Sequence, residues 1–305
     1  MIVPNRESGS PVRVRQYFAS AREAFASFLR STTGGDRRVV LLPAYIGWSA
    51  REGSGVFDPV RASGLPFRFY PMTRDLRIDV SAALAALDQH DVQVLVLIHY
   101  FGWPDPASAH LAAAARQRGI FVLEDEAHAL LTDVIGGVAG RDGHAAIYSL
   151  HKMLPVPDGG MLVWNADTHS SQESAGGVDI AIDARFDLAA MARRRIDNAR
   201  VASRLLAPLA GRVDLLWSDL PEGVVPQTLP VLVRSADRTE LYHALNAKGF
   251  GVVSLYHTLI SEIGEREFPD AHWLARRVMN LPIHPSVSAD GLAKLIAELD
   301  QLSHG

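Results

Sequence analysis

The chain has 305 residues, 48% of them hydrophobic and 21% charged, which is enough apolar material for a substantial core and excludes disorder as a general description. A formal net charge of -4 leaves no basic footprint for nucleic acid or a membrane surface, and without cysteine there is no disulfide or thiolate metal site. No apolar stretch of signal-peptide or membrane-spanning length occurs, so a cytoplasmic protein with small-molecule partners is expected.

Residues Met1 to Pro11 are polar and rich in Ser, Gly and Pro, and read as a frayed leader. From Tyr17 onward, Phe18, Ala21, Phe25 and Phe28 recur at helical spacing, with Ser20 near the start of the helix. Val39 to Leu42 is a buried strand ended by Pro43, followed by Tyr45 and Trp48. Phe67 to Tyr70 is a strand, and Val80 to Leu87 a helix capped by Asp79. The near-continuous apolar run Val92 to Tyr100 predicts a central strand of parallel type. It is broken at Gly102 and Pro104, and a helix from about Ala107 to Arg118 returns the chain to the next strand. Strand and helix in regular alternation predict βαβ units and a mainly parallel sheet.

That next strand, Ile120 to Leu123, delivers Glu124 and Asp125 at its carboxyl end. A second run, Ala145 to Leu150, brings Ser149, His151 and Lys152 in the same way. Ligands of open α/β sheets sit beyond the carboxyl ends of the strands, so a carboxylate and an amine are expected to face one pocket. After Gly159 and Gly160, which permit a tight turn, comes the strand MLVW. The polar, glycine-rich break from Asn165 to Gly177 follows, and the domain boundary is placed there. The span from about Ile182 to Leu209 reads as helix; its triplet Arg193, Arg194, Arg195 winds around the axis and reads as a solvated face rather than one patch. A strand at Pro230 to Arg234, a helix from about Arg238 to Lys248, a strand at Gly251 to Leu255 and a helix from Ala289 to Leu302 complete the chain. The expected fold is α/β, a mainly parallel sheet flanked by helices over residues 12–168, with a linker helix and a small α+β C-terminal domain over 182–305.

The pair Asp125 and Lys152 suits pyridoxal phosphate. A lysine amine forms a Schiff base with the cofactor aldehyde, and an Asp holds the pyridine nitrogen protonated so that the ring acts as an electron sink. Lys152 sits in the largely apolar segment HKMLP, where a charged side chain is costly without a use. Surface exposure of Lys152, and turn or capping roles for Glu124 and Asp125, are the plain alternatives.

The segment Glu124-Asp125-x-Ala127-His128, followed by Ser149-x-His151, Lys152 and Gly159-Gly160, resembles the DegT/DnrJ/EryC1/StrS family of fold-type I, pyridoxal phosphate-dependent aminotransferases. LPAYIGW (Leu42 to Trp48), IHYFGWP (Ile98 to Pro104) and LPIHP (Leu281 to Pro285) extend the resemblance in the family's order over most of the chain. It implies Lys152 as the catalytic lysine, Asp125 at the pyridine nitrogen, His128 at the phenolic oxygen and Ser149 at the phosphate. Ser20, Ala21 and Arg22 fall where the family carries a Ser-Gly-Thr-like phosphate cradle at a helix N-terminus, with Ala21 in place of the glycine; a surface serine on a plain amphipathic helix is the other reading. Trp48, with Tyr45 in reserve, is implied to stack on the ring, although either aromatic serves equally as core. Two departures are visible: Lys152 directly follows His151, and the chain is shorter than the family between the Gly-Gly strand and the C-terminal domain.

The resemblance further implies a homodimer, an amino acid donor such as glutamate, and a keto acceptor, by the family's habit a nucleotide-linked keto-sugar. Two other readings compete: a relative that binds the cofactor without transamination, and a metal enzyme using His99, Asp125, His128 and His151. The second lacks any paired histidine spacing in this stretch, and no metal is expected.

Overall fold

The computed structural model describes residues 13–32, 38–165 and 185–304. The larger part of the fold is a seven-stranded sheet in the order β1-β7-β6-β5-β4-β2-β3. Its strands are β1 (Val14–Phe18), β2 (Val39–Pro43), β3 (Phe67–Tyr70), β4 (Val92–Ile98), β5 (Phe121–Asp125), β6 (Ala145–Ser149) and β7 (Gly160–Trp164). β3, β2, β4, β5 and β6 are parallel, and β7 runs against both β6 and β1. β4 is buried at every position, as a parallel strand is when helices cover both faces of its sheet.

Helices α1 (Ala21–Thr32), α2 (Phe57–Ser63), α3 (Val80–Leu87), α4 (Ser108–Gln117) and α5 (Leu130–Val134) fill the connections from β1 to β6. α1 lies across β6 and β7 on a buried face of Ala24, Phe25, Phe28 and Leu29, and Phe28 stacks on Trp164 with ring centroids 5.4 Å apart. α3 begins as the sequence predicts, with the Asp79 side chain accepting the Ala82 N–H.

The helical spacing that starts at Tyr17 becomes a helix only at Ala21. Val14 to Phe18 is instead an edge strand, registered from Val14 opposite Trp164 to Phe18 opposite Gly160. Tertiary partners decide this: Gln16 is buried and accepts from Trp164 Nε1 at 3.2 Å, and Arg13 next to it donates to both carboxylate oxygens of Asp133 at 2.8 Å. The leader expected over Met1 to Pro11 lies outside the described residues.

A second, antiparallel sheet in the order β10-β9-β8 comprises β8 (Val213–Leu215), β9 (Thr228–Val233) and β10 (Val278–Pro282). It is accompanied by α6 (Leu188–Leu206), α7 (Arg238–Ala247), α8 (Pro269–Ala275) and α9 (Ala289–Leu302), with α9 packed on α6 and α7. The strand expected at Gly251 to Leu255 contracts to one bridge, Val253 with Asn280, because the chain turns away at Tyr256, whose φ is 60°. Of the arginine triplet, Arg193 and Arg194 are exposed, whereas Arg195 is buried and donates to the Gln227 carbonyl at 2.6 Å. The expected boundary between 12–168 and 182–305 falls within 166–184, outside the described residues. Among the described residues, no helix is long and apolar enough to cross a membrane.

Candidate active site

Alternation along β5 sends Glu124 to one face of the sheet and Asp125 to the other. Asp125 enters a cavity of about 430 Å³, which Lys152 also lines from the short helical turn after β6, together with Ser20, Ala21, Arg22 and Ser149. The carboxylate and the amine expected at one sheet edge are therefore brought together. Asp125 is buried and its Oδ1 accepts the Ala127 N–H at 2.9 Å. Burial lifts its pKa above the usual carboxylate value, against the opposing pull of the Ala127 N–H and the Lys152 charge.

His128 is buried between Phe101 and Lys152. Its Nδ1 accepts the Phe101 N–H at 3.2 Å, and its Nε2 lies 3.3 Å from Lys152 Nζ. Burial, then the neighbouring amine, holds the imidazole far below its ordinary pKa, so it is neutral. A neutral ring whose Nδ1 accepts carries its proton on Nε2. The Nε2–H then faces Lys152 Nζ, a contact that disfavours the ammonium form of the lysine. The lysine pKa agrees in direction: burial lowers it, while the Asp125 and Glu52 carboxylates oppose the shift. By accessible surface Lys152 is exposed, its side chain facing the open cavity.

The N-terminus of α1 forms another wall. Ser20 Oγ accepts the Glu23 N–H at 3.3 Å, and the first turn of the helix runs through Ala21 and Arg22. Gly160 opens β7 directly against this turn; a Cβ there would overlap the Ser20 carbonyl and stand 2.6 Å from the Ala21 nitrogen. That close approach, beyond any turn-forming role, is what requires glycine. Arg22 Nη2 donates to the Glu52 carbonyl, and its Nε is 3.6 Å from Asp58 Oδ2. His151 is exposed and lies 3.2 Å from Asp158 at the rim. Ser149 Oγ is 3.5 Å from His151 Nδ1.

The two aromatic candidates are placed differently. Trp48 is 43% exposed and lines an adjoining cavity of about 230 Å³ shared with His128, Lys152 and Tyr256. Tyr45 is fully buried, packed against Tyr100 and Tyr256 at centroid distances of 5.6 and 5.2 Å, and lines neither of these cavities. Tyr256 itself lines both, and nothing in the segment SLYHT signals that position. Arg22, third in the cradle stretch, lines the cavity as well, and so does Glu52, which no sequence signal marks.

The four residues of the metal reading do not converge. His99 turns to the opposite face, with Nε2 2.9 Å from Glu124 Oε2 and 3.1 Å from Glu126 Oε1. These three buried residues bring one ligand-type atom each within 4.8 Å of one another. Burial works against the His99 charge, but Glu126 and Glu124 outweigh it and raise the pKa to about 9. Glu124 is lowered despite burial, by His99 and by the Gly143 N–H at 2.6 Å, whereas burial pushes Glu126 well up. His99 is thus held as a cation between two buried carboxyl groups, with Glu124 the hydrogen-bonded partner and Glu126 the one whose charge burial opposes.

The pattern of the DegT/DnrJ/EryC1/StrS aminotransferase family matches residues 19–174 and 185–300. The dTDP-4-dehydro-2,3,6-trideoxy-D-glucose 4-aminotransferase of Saccharopolyspora spinosa is 26% identical over 249 residues, or 68% of this chain; the chain spans 64% of the length of that curated relative. Among solved structures, Helicobacter pylori PseC, an aminotransferase of pseudoaminic acid biosynthesis, superposes with a TM-score of 0.78 at 16% identity, over 95% of this chain and 86% of that one. The sugar aminotransferase Spr1654 of Streptococcus pneumoniae in its PLP form gives 0.77 at 15% identity, over 97% and 88%. These likenesses establish a common fold, and with the family pattern covering most of its length, the chain belongs to the DegT/DnrJ/EryC1/StrS aminotransferase family.

Proposed function

We propose that this protein is a pyridoxal phosphate-dependent aminotransferase that moves an amino group from an amino acid, glutamate as the expected donor, to the carbonyl of a nucleotide-linked keto-sugar. The observation that carries the reading is the contact of a neutral His128 with Lys152 Nζ in a cavity that also holds the Asp125 carboxylate. Of the lysines in the chain, Lys248 pairs with Glu298 and Lys294 with Asp290 at 2.8 Å. Lys152 is the lysine that lines the cavity beside Asp125.

The cavity suits the cofactor. Pyridoxal phosphate, when bound, supplies an aldehyde that condenses with amines and a ring that takes up the electron pair released at the substrate carbon. Lys152, whose pKa burial lowers, would be the amine that holds the aldehyde, and its Nζ would be the group placed to move a proton at the substrate carbon. Asp125 holds a proton on the pyridine nitrogen; its carboxylate, costly to bury alone, is stabilised by that opposite charge. His128 Nε2–H is a fixed donor for the phenolic oxygen. Ser20, Ala21 and Ser149 bind the phosphate, with the N-terminus of α1 aimed at its charge, and Trp48 closes the ring face.

The sugar substrate is supported by the relatives named above, whose substrates include a dTDP-linked keto-sugar. A cytoplasmic homodimer with small-molecule partners only, neither nucleic acid nor membrane, completes the reading, and light scattering that finds a monomer would count against the dimer. Visible absorbance tests the function: the purified protein with pyridoxal phosphate should show a yellow band that glutamate discharges. A band that persists with every amino acid donor points to a cofactor-binding relative without transamination.

A further inference from the structure

We infer that Arg22 is the charge anchor for the cofactor's phosphate, the residue that distinguishes pyridoxal phosphate from unphosphorylated pyridoxal. The inference rests on the cofactor reading above and gives a side-chain role to the third residue of the cradle stretch, where the family pattern has a threonine and this chain has a cation. A phosphate monoester carries about -1.5 to -2 charges at neutral pH. The cavity already presents the carboxylates of Asp125, Glu52 and Asp158, so an anion entering it needs compensation. Among the described lining residues the candidates are few. Lys152 is committed to the aldehyde, and His151 lies 3.2 Å from Asp158 at the rim. Arg22 is the remaining cation, and a guanidinium stays charged in any setting of this kind.

Its position fits the task. Arg22 lies in the first turn of a 12-residue helix whose leading N–H groups have no carbonyl within the helix to bond, and Ser20 and Ser149 line the same cavity with hydroxyls. Gly160 holds that turn in place through its close approach to Ser20 and Ala21. The present contacts of Arg22 are replaceable ones: Nη2 to a neutral carbonyl, Nε 3.6 Å from the half-exposed Asp58 carboxylate and without a hydrogen bond. Arg13 shows the contrast, with a bidentate grip on Asp133 at 2.8 Å and further bonds to Gly140 and Tyr148. Arg13 is committed to the fold, whereas Arg22 keeps donors for a planar fork on an anion.

The test compares equilibrium binding of pyridoxal 5'-phosphate and of pyridoxal to cofactor-stripped full-length protein, followed by absorbance and tryptophan fluorescence. Arg22→Gln should weaken pyridoxal phosphate by about 10- to 100-fold, the worth of a charge-assisted hydrogen bond or two, and leave pyridoxal within about twofold. Arg22→Lys, which keeps the charge and loses the fork, should fall between. Inorganic phosphate should compete with pyridoxal phosphate in the wild type and far less in Arg22→Gln. Equal weakening of both compounds, an unchanged preference, or a variant that loses only its response to glutamate overturns the role of Arg22 and leaves the cofactor reading standing. A wild type that binds neither compound overturns both. Arg22→Lys also supplies the answer should Arg22→Gln not fold, since unchanged discrimination in a phosphate-competition assay would contradict a fork on phosphate.

Discussion

His128 Nε2 lies 3.3 Å from Lys152 Nζ while Nδ1 of the same ring accepts the Phe101 N–H at 3.2 Å. One backbone donor thereby fixes the tautomer of the imidazole and turns its Nε2–H toward the lysine, which disfavours the ammonium. The donor belongs to a residue held at φ 58°, a sparsely populated conformation for an aromatic side chain. The Phe101 ring also stacks on His128, 6.0 Å away at an interplanar angle of 9°. A strained residue thus seats the imidazole by backbone and ring together, and strain of this sort gathers at functional sites.

The first prediction concerns pH. Burial lowers the Lys152 pKa below its model-peptide value of 10.5, so the rate of its covalent reaction with added pyridoxal phosphate should rise with pH and level off below the range of an exposed lysine. The Glu52 carboxylate favours the ammonium, so Glu52→Gln should move the midpoint lower still. Stopped-flow absorbance between about pH 6 and 10 reads both; a wild-type midpoint at the ordinary lysine value would contradict the tautomer argument.

Asp125→Asn should keep the fold and retain part of the cofactor, yet lose most turnover. An amide cannot hold the ring nitrogen protonated, and a nearby carboxylate is worth about 1 to 3 pKa units there. Turnover of the variant with glutamate, measured beside its circular dichroism, decides this, and an unchanged rate would remove Asp125 from the role.

Gly160→Ala should cost stability and cofactor affinity together. The added Cβ meets backbone at Ser20 and Ala21 rather than a yielding side chain, and overpacking of this kind costs about 1–3 kcal/mol. Thermal unfolding should fall by several degrees, and pyridoxal phosphate should bind more weakly because the N-terminus of α1 is pushed aside. A variant with wild-type Tm and affinity would mean that the approach is looser than the structure has it.

The buried pair of His99 and Glu124 predicts an alkaline loss of stability. The folded His99 pKa of about 9 stands above its unfolded value near 6.5, so its stabilising contribution is complete below the unfolded value and disappears as pH rises through about 9. Tm should therefore decline over that interval. Glu126 raises the His99 pKa through its charge while burial raises its own, so Glu126→Gln should bring the alkaline decline to lower pH. A Tm indifferent to pH over this window, or an unchanged pH profile in Glu126→Gln, would contradict this coupling.

Much of the scaffold was legible in the sequence because burial leaves a mark on composition. β4, β5 and β6 read as apolar runs since the parallel sheet is covered on both faces, and Asp79 marked the start of α3. Asp125 and Lys152 were readable as a pair because each follows such a run. β1 escaped notice since its identity depends on β7, far along the chain, and on buried bonds of Arg13 and Gln16 that make polar residues look exposed. Tyr256 escaped for a similar reason: its place in the site depends on a φ of 60° and on rings contributed by three other segments. Glu126 is the unassigned position between Asp125 and Ala127 in the sequence motif, and only the packing shows it buried beside His99.

The central claim is that Lys152 carries the cofactor, and borohydride reduction followed by peptide mass spectrometry tests it most directly. Reduction should leave a pyridoxyl group on the peptide containing HKMLPVPDGG, and Lys152→Ala should lose that label together with transamination. Loss of colour alone is the weaker readout, because phosphate contacts and Asp125 would still hold some cofactor. A label on Lys248 or Lys294, or none in the wild type, would contradict the account.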